Sequence, residues 1–350
     1  MSTVQIEIAD ARSEWHPQGT WLNTASYGLP PDRAWEALQG ALEDWRGGRT
    51  SWEHWGDATD GARAAFATLV GVAPDAVAIG ATVSELVGLV AASIPDGARV
   101  LAPDIDFASV LFPFMVQERR GVEVRLVPPA EVAGAVDDAT DVVAFSAVQM
   151  ATGAVADLDA IAAAAAAHGA LTLVDATQAC GWLPIDAARF DIVVCHAYKW
   201  LMSPRGTAFM AVRPDDLERI VPAAAGWFAG EDVHGSYFGP PLRLARSARR
   251  LDASPAWFSW VGTQPAIELV VAIGVEAIHA HDVGLANRFR AGLGLEPSDS
   301  AIVVADVPGA RDRLERAGIT AAERGGRLRT AWHVYNTDAD VDCALDALGA

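Results

Sequence analysis

Between Ala76 and Val212 the chain alternates short β-rich runs with stretches of helical period, and this alternation dictates βαβ units laid into one largely parallel sheet. The runs are Ala76–Ile79, Arg99–Ala102, Glu123–Leu126, Asp141–Phe145, Leu171–Val174, Ile192–Cys195 and Thr207–Val212. Between two of them, Leu158–His168 reads as an alanine-rich helix with Asp157 at its start and Gly169 placed as its C-terminal cap. Residues 1–20 read as an arm, 21–250 as a large domain and 251–350 as a smaller one. Within the large domain Arg213–Pro241 is an irregular connection rich in Gly, Pro and aromatics. After Ser254-Pro255 come a long apolar helix, Thr263–Ala280, and a small αβ unit ending at Ala350. The expected fold class is therefore α/β, with a seven-stranded, mostly parallel sheet in the large domain and a small C-terminal α/β domain.

Composition narrows the function classes. A chain of 350 residues, 51% hydrophobic and 20% charged, is long enough for a sizeable core and unlike disordered or fibrous sequences. Apolar runs such as Ile161–Ala167 fall short of the roughly 20 residues that span a membrane, and no basic region with a hydrophobic stretch opens the sequence. No membrane partner is expected. Cys180, Cys195 and Cys343 lie far apart with no Cys-x-x-Cys spacing, which suits the reducing cytoplasm and not a disulfide framework or zinc ribbon. His279 and His281 have no Cys or acid placed to complete a site, so no metal is expected. A net charge of −19 opposes nucleic-acid binding.

Lys199 is the one lysine among 26 cationic residues. Where nearly every cation is Arg, a retained primary amine points to chemistry that a guanidinium cannot do, and Schiff-base formation is the commonest. Ligands of open α/β sheets gather beyond the C-terminal ends of strands. Three such ends matter. Gly80-Ala81-Thr82-Val83-Ser84-Glu85 opens an apolar helix and forms a cradle for phosphate, though the same residues also serve as an ordinary N-cap. Asp175-Ala176-Thr177-Gln178 puts an acid at the end of a buried strand, where it suits loop hydrogen bonding as well as a cofactor. His196-Ala197-Tyr198-Lys199-Trp200 puts the lysine at the end of another. An amine, an anion and a phosphate cradle are the three things pyridoxal 5′-phosphate requires of a protein.

Val174-Asp175-Ala176-Thr177-Gln178-Ala179, followed by Phe190–Trp200, resembles the class V aminotransferase superfamily of fold-type-I pyridoxal-phosphate enzymes, which includes cysteine desulfurases, kynureninase, isopenicillin N epimerase-like proteins and C–S lyases. The likeness runs from Trp21-Leu22-Asn23-Thr24-Ala25-Ser26 to Arg329–Thr337. It implies that Lys199 holds the cofactor and shuttles the Cα proton, that Asp175 pairs with the pyridine nitrogen, and that Gln178 reaches the phenolic oxygen. It places Thr82, Val83, Ser84 and His196 at the phosphate, Phe107 against the ring, and Ser254 at the phosphate of a neighbouring subunit in a homodimer. Arg329 falls where a guanidinium forks onto the substrate carboxylate. Asn23 and Trp227 are further substrate-side candidates, and Trp227 equally fits packing at the domain junction.

One departure bears on the reaction. Desulfurases of this superfamily carry a nucleophilic Cys shortly before the arginine, whereas Gly318–Arg329 contains none. The expected activity is a reaction of an α-amino acid through an external aldimine and a quinonoid, ending in β-elimination of C–S lyase type. Transamination, epimerisation and kynureninase-type cleavage are the alternatives, and a non-catalytic cofactor-binding sensor or scaffold stands outside them.

Overall fold

The computed structural model describes residues 5–350. The seven strands are β1 (Val77–Gly80), β2 (Arg99–Pro103), β3 (Glu123–Val127), β4 (Val142–Ser146), β5 (Leu171–Asp175), β6 (Ile192–His196) and β7 (Ala208–Val212), each within about one residue of its expected bounds. They form one sheet in the order β1-β7-β6-β5-β4-β2-β3. Only β7 is antiparallel to its neighbours. Because β7 opposes both β1 and β6, β1 runs in the same direction as β4, β5 and β6, and their C-terminal ends share one edge.

Both faces of the sheet are buried. Val143 and Phe145 enter one apolar cluster, while Val142 and Ala144 enter another on the opposite face. That is the strand period of two, read with both faces covered by helices. The helix Leu158–His168 has its expected bounds, with the Asp157 carboxylate accepting from Ala160 N and Gly169 in the left-handed region at φ 70°.

The long apolar helix expected at Thr263–Ala280 is instead two helices, α1 (Trp257–Ile273) and α2 (Val275–Gly292), bent by 83°. Gly274 between them sits at φ 92°, a conformation that suits glycine and ends the first helix. The apolar pattern crosses the break without interruption, which is why periodicity alone joins them. His279 and His281 therefore lie inside α2 and do not mark a helix end. Among the described residues no single helix is long and apolar enough to cross a membrane.

A second, three-stranded sheet has β9 (Ala322–Arg324) and β8 (Ile302–Ala305) on either side of β10 (Arg327–Ala331), all antiparallel. Its core includes Phe289, Leu314, Leu328, Trp332 and Val341. The N-terminal segment is tied to it, since Thr20 and Trp21 pair with Ile319 and Thr320 and Ala331 N donates to Leu22 O.

Candidate active site

The shared strand edge brings eight of the expected residues to one cleft. Thr82, Val83, Ser84, Phe107, Asp175, Gln178, His196 and Lys199 line it together. Asp175 is the last residue of β5, and its Oδ1 accepts from Thr177 N at 2.8 Å. Burial raises its carboxyl above the ordinary aspartate range, against the pull of Thr177 and the Lys199 charge.

Lys199 follows β6 by three residues and is 7% exposed. Burial pushes its amine down to about 7; Asp175 resists this, while the positive charges of Arg329 and Arg324 assist it. The result is an amine with a substantial free-base fraction near neutrality, the form that attacks an aldehyde or accepts a proton. His196 is pushed to about 3 by burial, with Arg205 and Lys199 adding to the effect, so it is a neutral ring.

A helix N-terminus also borders the cleft. Thr82 caps the helix Val83–Ser93, its hydroxyl accepting from Glu85 N at 3.2 Å, so the positive end of the helix opens toward the cleft. Asp106 fixes a further side: its Oδ1 accepts from Phe107 N at 2.6 Å and its Oδ2 from Ser146 N at 2.7 Å. Phe107 is 44% exposed, hence not a core residue, and its ring centre stands 6.0 Å from Lys199 Nζ.

Two buried atoms on the lining, Gln178 Oε1 and His196 Nε2, have no hydrogen-bond partner within the protein. Gln178 spends its Nε2 on Ala25 O at 3.1 Å. Buried polar atoms left open on one cleft call for a polar ligand there. Together with a low-pKa amine, a buried carboxyl and a helix-end anion cradle, they fit pyridoxal phosphate.

Arg329 is not among the lining residues but donates to the carbonyl of one of them, Met150, at 3.2 Å; it is 1% exposed, also donates to Ser26 Oγ at 2.8 Å, and has Nε unpartnered. Burial lowers its guanidinium to about 10, and Arg324, which reaches the same Ser26 Oγ at 3.4 Å, adds to the effect. Sequence reasoning missed Ser26, Ser146 and Arg205 as site residues. Arg205 lines the cleft, donates to Tyr27 Oη at 2.9 Å and covers the Tyr198 ring at 5.0 Å. Its one sequence signal is a second cation in the loop after Lys199, inconspicuous where arginine is so common.

Three expected residues stand away from the cleft. Asn23 bridges to Ala331 beside β10, with its Oδ1 buried and unpartnered. Trp227 packs among Trp52, Tyr237 and Trp257, with ring centres 4.9, 5.2 and 6.3 Å away. Ser254 is exposed, two residues beyond the fully buried Asp252. Asp252 accepts from Arg63 Nη2 at 2.6 Å and from Ile79 N at 2.8 Å, tying the Ser254 segment to β1, the strand that precedes Thr82.

The family profile "Aminotransferase class-V" matches residues 31–307. The chain belongs to this family. It is accordingly an enzyme, and pyridoxal 5′-phosphate is its cofactor. Among curated relatives it is 30% identical to an uncharacterised aminotransferase, YcbU, of Bacillus subtilis over 86% of both chains. It is 28% identical to isopenicillin N epimerase of Streptomyces clavuligerus over 83% of both. The fold is shared with the cysteine desulfurase CsdA of Escherichia coli, at a TM-score of 0.84 and 19% identity over 98% of both chains.

Proposed function

We propose that the enzyme expels a substituent from Cβ of an α-amino acid, a β-elimination of C–S lyase type in which no cysteine takes part. The observation that carries this reading is that Lys199 is the one primary amine on the cleft and burial lowers it to about 7. Lys199 is the residue able to take a proton from Cα, and Phe107, 6.0 Å from its amine, has no proton to give. His196, held neutral, is a poor acid. Elimination requires only Cα deprotonation, which Lys199 can perform, and a leaving group on Cβ.

The thiols argue against persulfide chemistry. Cys180 and Cys195 are 2% and 1% exposed, and burial raises the Cys195 thiol well above the ordinary range, away from its nucleophilic form. Cys343 lies on the terminal helix Asp338–Leu348, and the hairpin Ala322–Ala331 holds no cysteine.

When bound, the cofactor supplies an electron sink for the charge left at Cα. Asp175 would pair with its ring nitrogen, Gln178 would meet its phenolic oxygen, and Phe107 would lie beside the ring. Thr82, Val83, Ser84 and His196 take the phosphate. Arg329, steadied by Ser26, takes the substrate carboxylate. Exposed Ser254 would complete the phosphate site of a second copy in a homodimer, and the spaced, unpaired cysteines suit a reducing cytoplasm. Each copy would comprise an arm (1–20, of which 1–4 lie outside the described residues), a large domain (21–250) and a small domain (251–350). No substrate contact is assigned to Asn23 or Trp227, which lie off the cleft.

The test is a panel of cysteine S-conjugates and their sulfoxides given to the reconstituted enzyme. A 2-oxo acid and ammonia should appear without added keto acid, and borohydride should fix the cofactor to Lys199. Pyridoxamine phosphate that accumulates until a keto acid discharges it would make the protein an aminotransferase; loss of Cα configuration without product would make it an epimerase.

A further inference from the structure

Beneath the cleft lies a hydrogen-bonded chain that no step above uses. Asp282, on α2, and His333, two residues beyond β10, are both fully buried. Asp282 Oδ2 is 2.9 Å from His333 Nδ1, and His333 Nε2 is 2.9 Å from the carbonyl oxygen of Trp200, the residue after Lys199. A carbonyl only accepts, so Nε2 carries the proton and the ring tautomer is fixed. One further proton lies between Nδ1 and the carboxyl. Burial raises the Asp282 carboxyl well above the carboxylate range and lowers His333 to about 3.

The contact to Trp200 is reciprocal: Trp200 Nε1 donates back to Trp332 O at 3.3 Å. The turn it grips is tightly constrained. Met202 N donates to Lys199 O at 3.0 Å, and Gly28 N to Tyr198 O at 2.9 Å. Met202 sits at φ 51°, in the left-handed region that non-glycine residues rarely occupy. Gly28 and Gly181 have no room for a Cβ against the carbonyls of Lys199 and Trp200. Arg329 lies four residues before His333, in β10. The strand bearing the carboxylate anchor is thus fastened to the turn bearing the amine.

We propose that His333, oriented by Asp282, is a positioning residue that sets the separation between Lys199 and Arg329 by holding the Trp200 carbonyl. The substrate is gripped at its carboxylate by one and deprotonated at Cα by the other, so the spacing between the two elements governs the proton transfer. A misplacement of about 1 Å at such a site costs about 100-fold in rate. The inference rests on the assignment of Lys199 and Arg329 made above.

The experiment compares His333→Phe, which removes the donor at nearly constant volume, with His333→Gln, whose amide can still donate to Trp200 O. Asp282→Leu and Asp282→Asn form a second pair, in which only the Asn amide can keep His333 in its tautomer. Melting temperature, the rate of pyridoxal-phosphate capture at Lys199 read by borohydride labelling, and Cα hydrogen exchange of a bound amino acid in D2O are measured for each.

In folded His333→Phe and Asp282→Leu, saturated exchange should fall about 100-fold and cofactor capture should slow, with KM changed far less. His333→Gln and Asp282→Asn should recover most of the loss even where their melting temperatures are equally lowered. If His333→Phe does not fold, the Asp282 pair and His333→Gln decide. Exchange near the wild-type rate in folded His333→Phe or Asp282→Leu, or losses that follow melting temperature regardless of donor chemistry, would overturn the inference. Wild-type protein that takes no label at Lys199 would instead refute the assignment beneath it.

Discussion

The two sides of this molecule that were expected to meet at the active site are built differently. One is a wall of strand ends: Asp175 and His196 close β5 and β6, Lys199 follows three residues later, and the backbone around them belongs to the ladder, with Asp175 opposite both Ser146 and Val194. The other is the connection between β7 and α1, about forty residues of short turns in which Phe238 is 85% and Leu242 81% exposed. Register fixes a strand-end residue to within one position. A loop residue such as Trp227 goes where aromatic packing takes it, here to Trp52 and Trp257. Chemistry that needs sub-ångström placement sits on the first kind of element.

The hardest way to break this contrast is to alter the wall without altering its shape. Asp175→Asn is nearly isosteric and keeps an acceptor for Thr177 N, so the fold should persist. An amide cannot hold the cofactor ring nitrogen protonated, and loss of such charge stabilisation costs about 3 kcal/mol or more, roughly 150-fold in Cα hydrogen exchange. Exchange within a few-fold of wild type would remove Asp175 from the site.

Arg329 tests whether the wall extends into the second sheet. Charge-assisted hydrogen bonds are worth about 1.5–3 kcal/mol, so Arg329→Ala should raise KM for an amino acid about 10- to 100-fold with a smaller effect on kcat. Arg327, two residues earlier on β10 but exposed, should change KM less than about 3-fold on the same scale of surface effects. Equal effects would place the carboxylate elsewhere. Arg324→Ala falls between the two if its charge is felt only through Ser26.

A finer probe is pH. The Lys199 amine, pushed by burial from the ordinary lysine range to about 7, is mostly protonated below that pH and mostly free base above it. Capture of pyridoxal phosphate by the apoprotein should therefore rise about tenfold between pH 6 and pH 8 and flatten above. An exposed lysine would keep rising about tenfold per pH unit toward 10. Continued rise beyond pH 8 would mean that the amine is not held in the dry environment that this wall provides.

What could be read from the sequence divides along the same line. The seven strands and the helix Leu158–His168 were legible because buried strands carry β-rich runs and a capped alanine helix carries its own ends. Lys199, Asp175 and Thr82 could be brought together because topology alone places strand ends on one edge. Ser26, Ser146 and Arg205 were not, since nothing local distinguishes a serine that meets Arg329 across 303 residues. The break at Gly274 and the pairing of Asp282 with His333, 51 residues apart, depend on a bend that the apolar pattern does not encode.

The smallest expected effect belongs to the loop-built side. Trp227 is half-buried and touches aromatic rings on several sides, but none of Trp52, Tyr237 or Trp257 lines the cleft. Trp227→Leu removes ring contacts whose loss costs about 1–3 kcal/mol, so the melting temperature should drop by several degrees. Turnover at a temperature where the variant is folded should change less than about 3-fold, because packing energy lost far from the reacting atoms is lost equally from the free enzyme and the transition state. A tenfold rise in KM that disappears when the substrate side chain is shortened would show that Trp227 reaches the substrate after all, and the contrast between wall and loop would then fail.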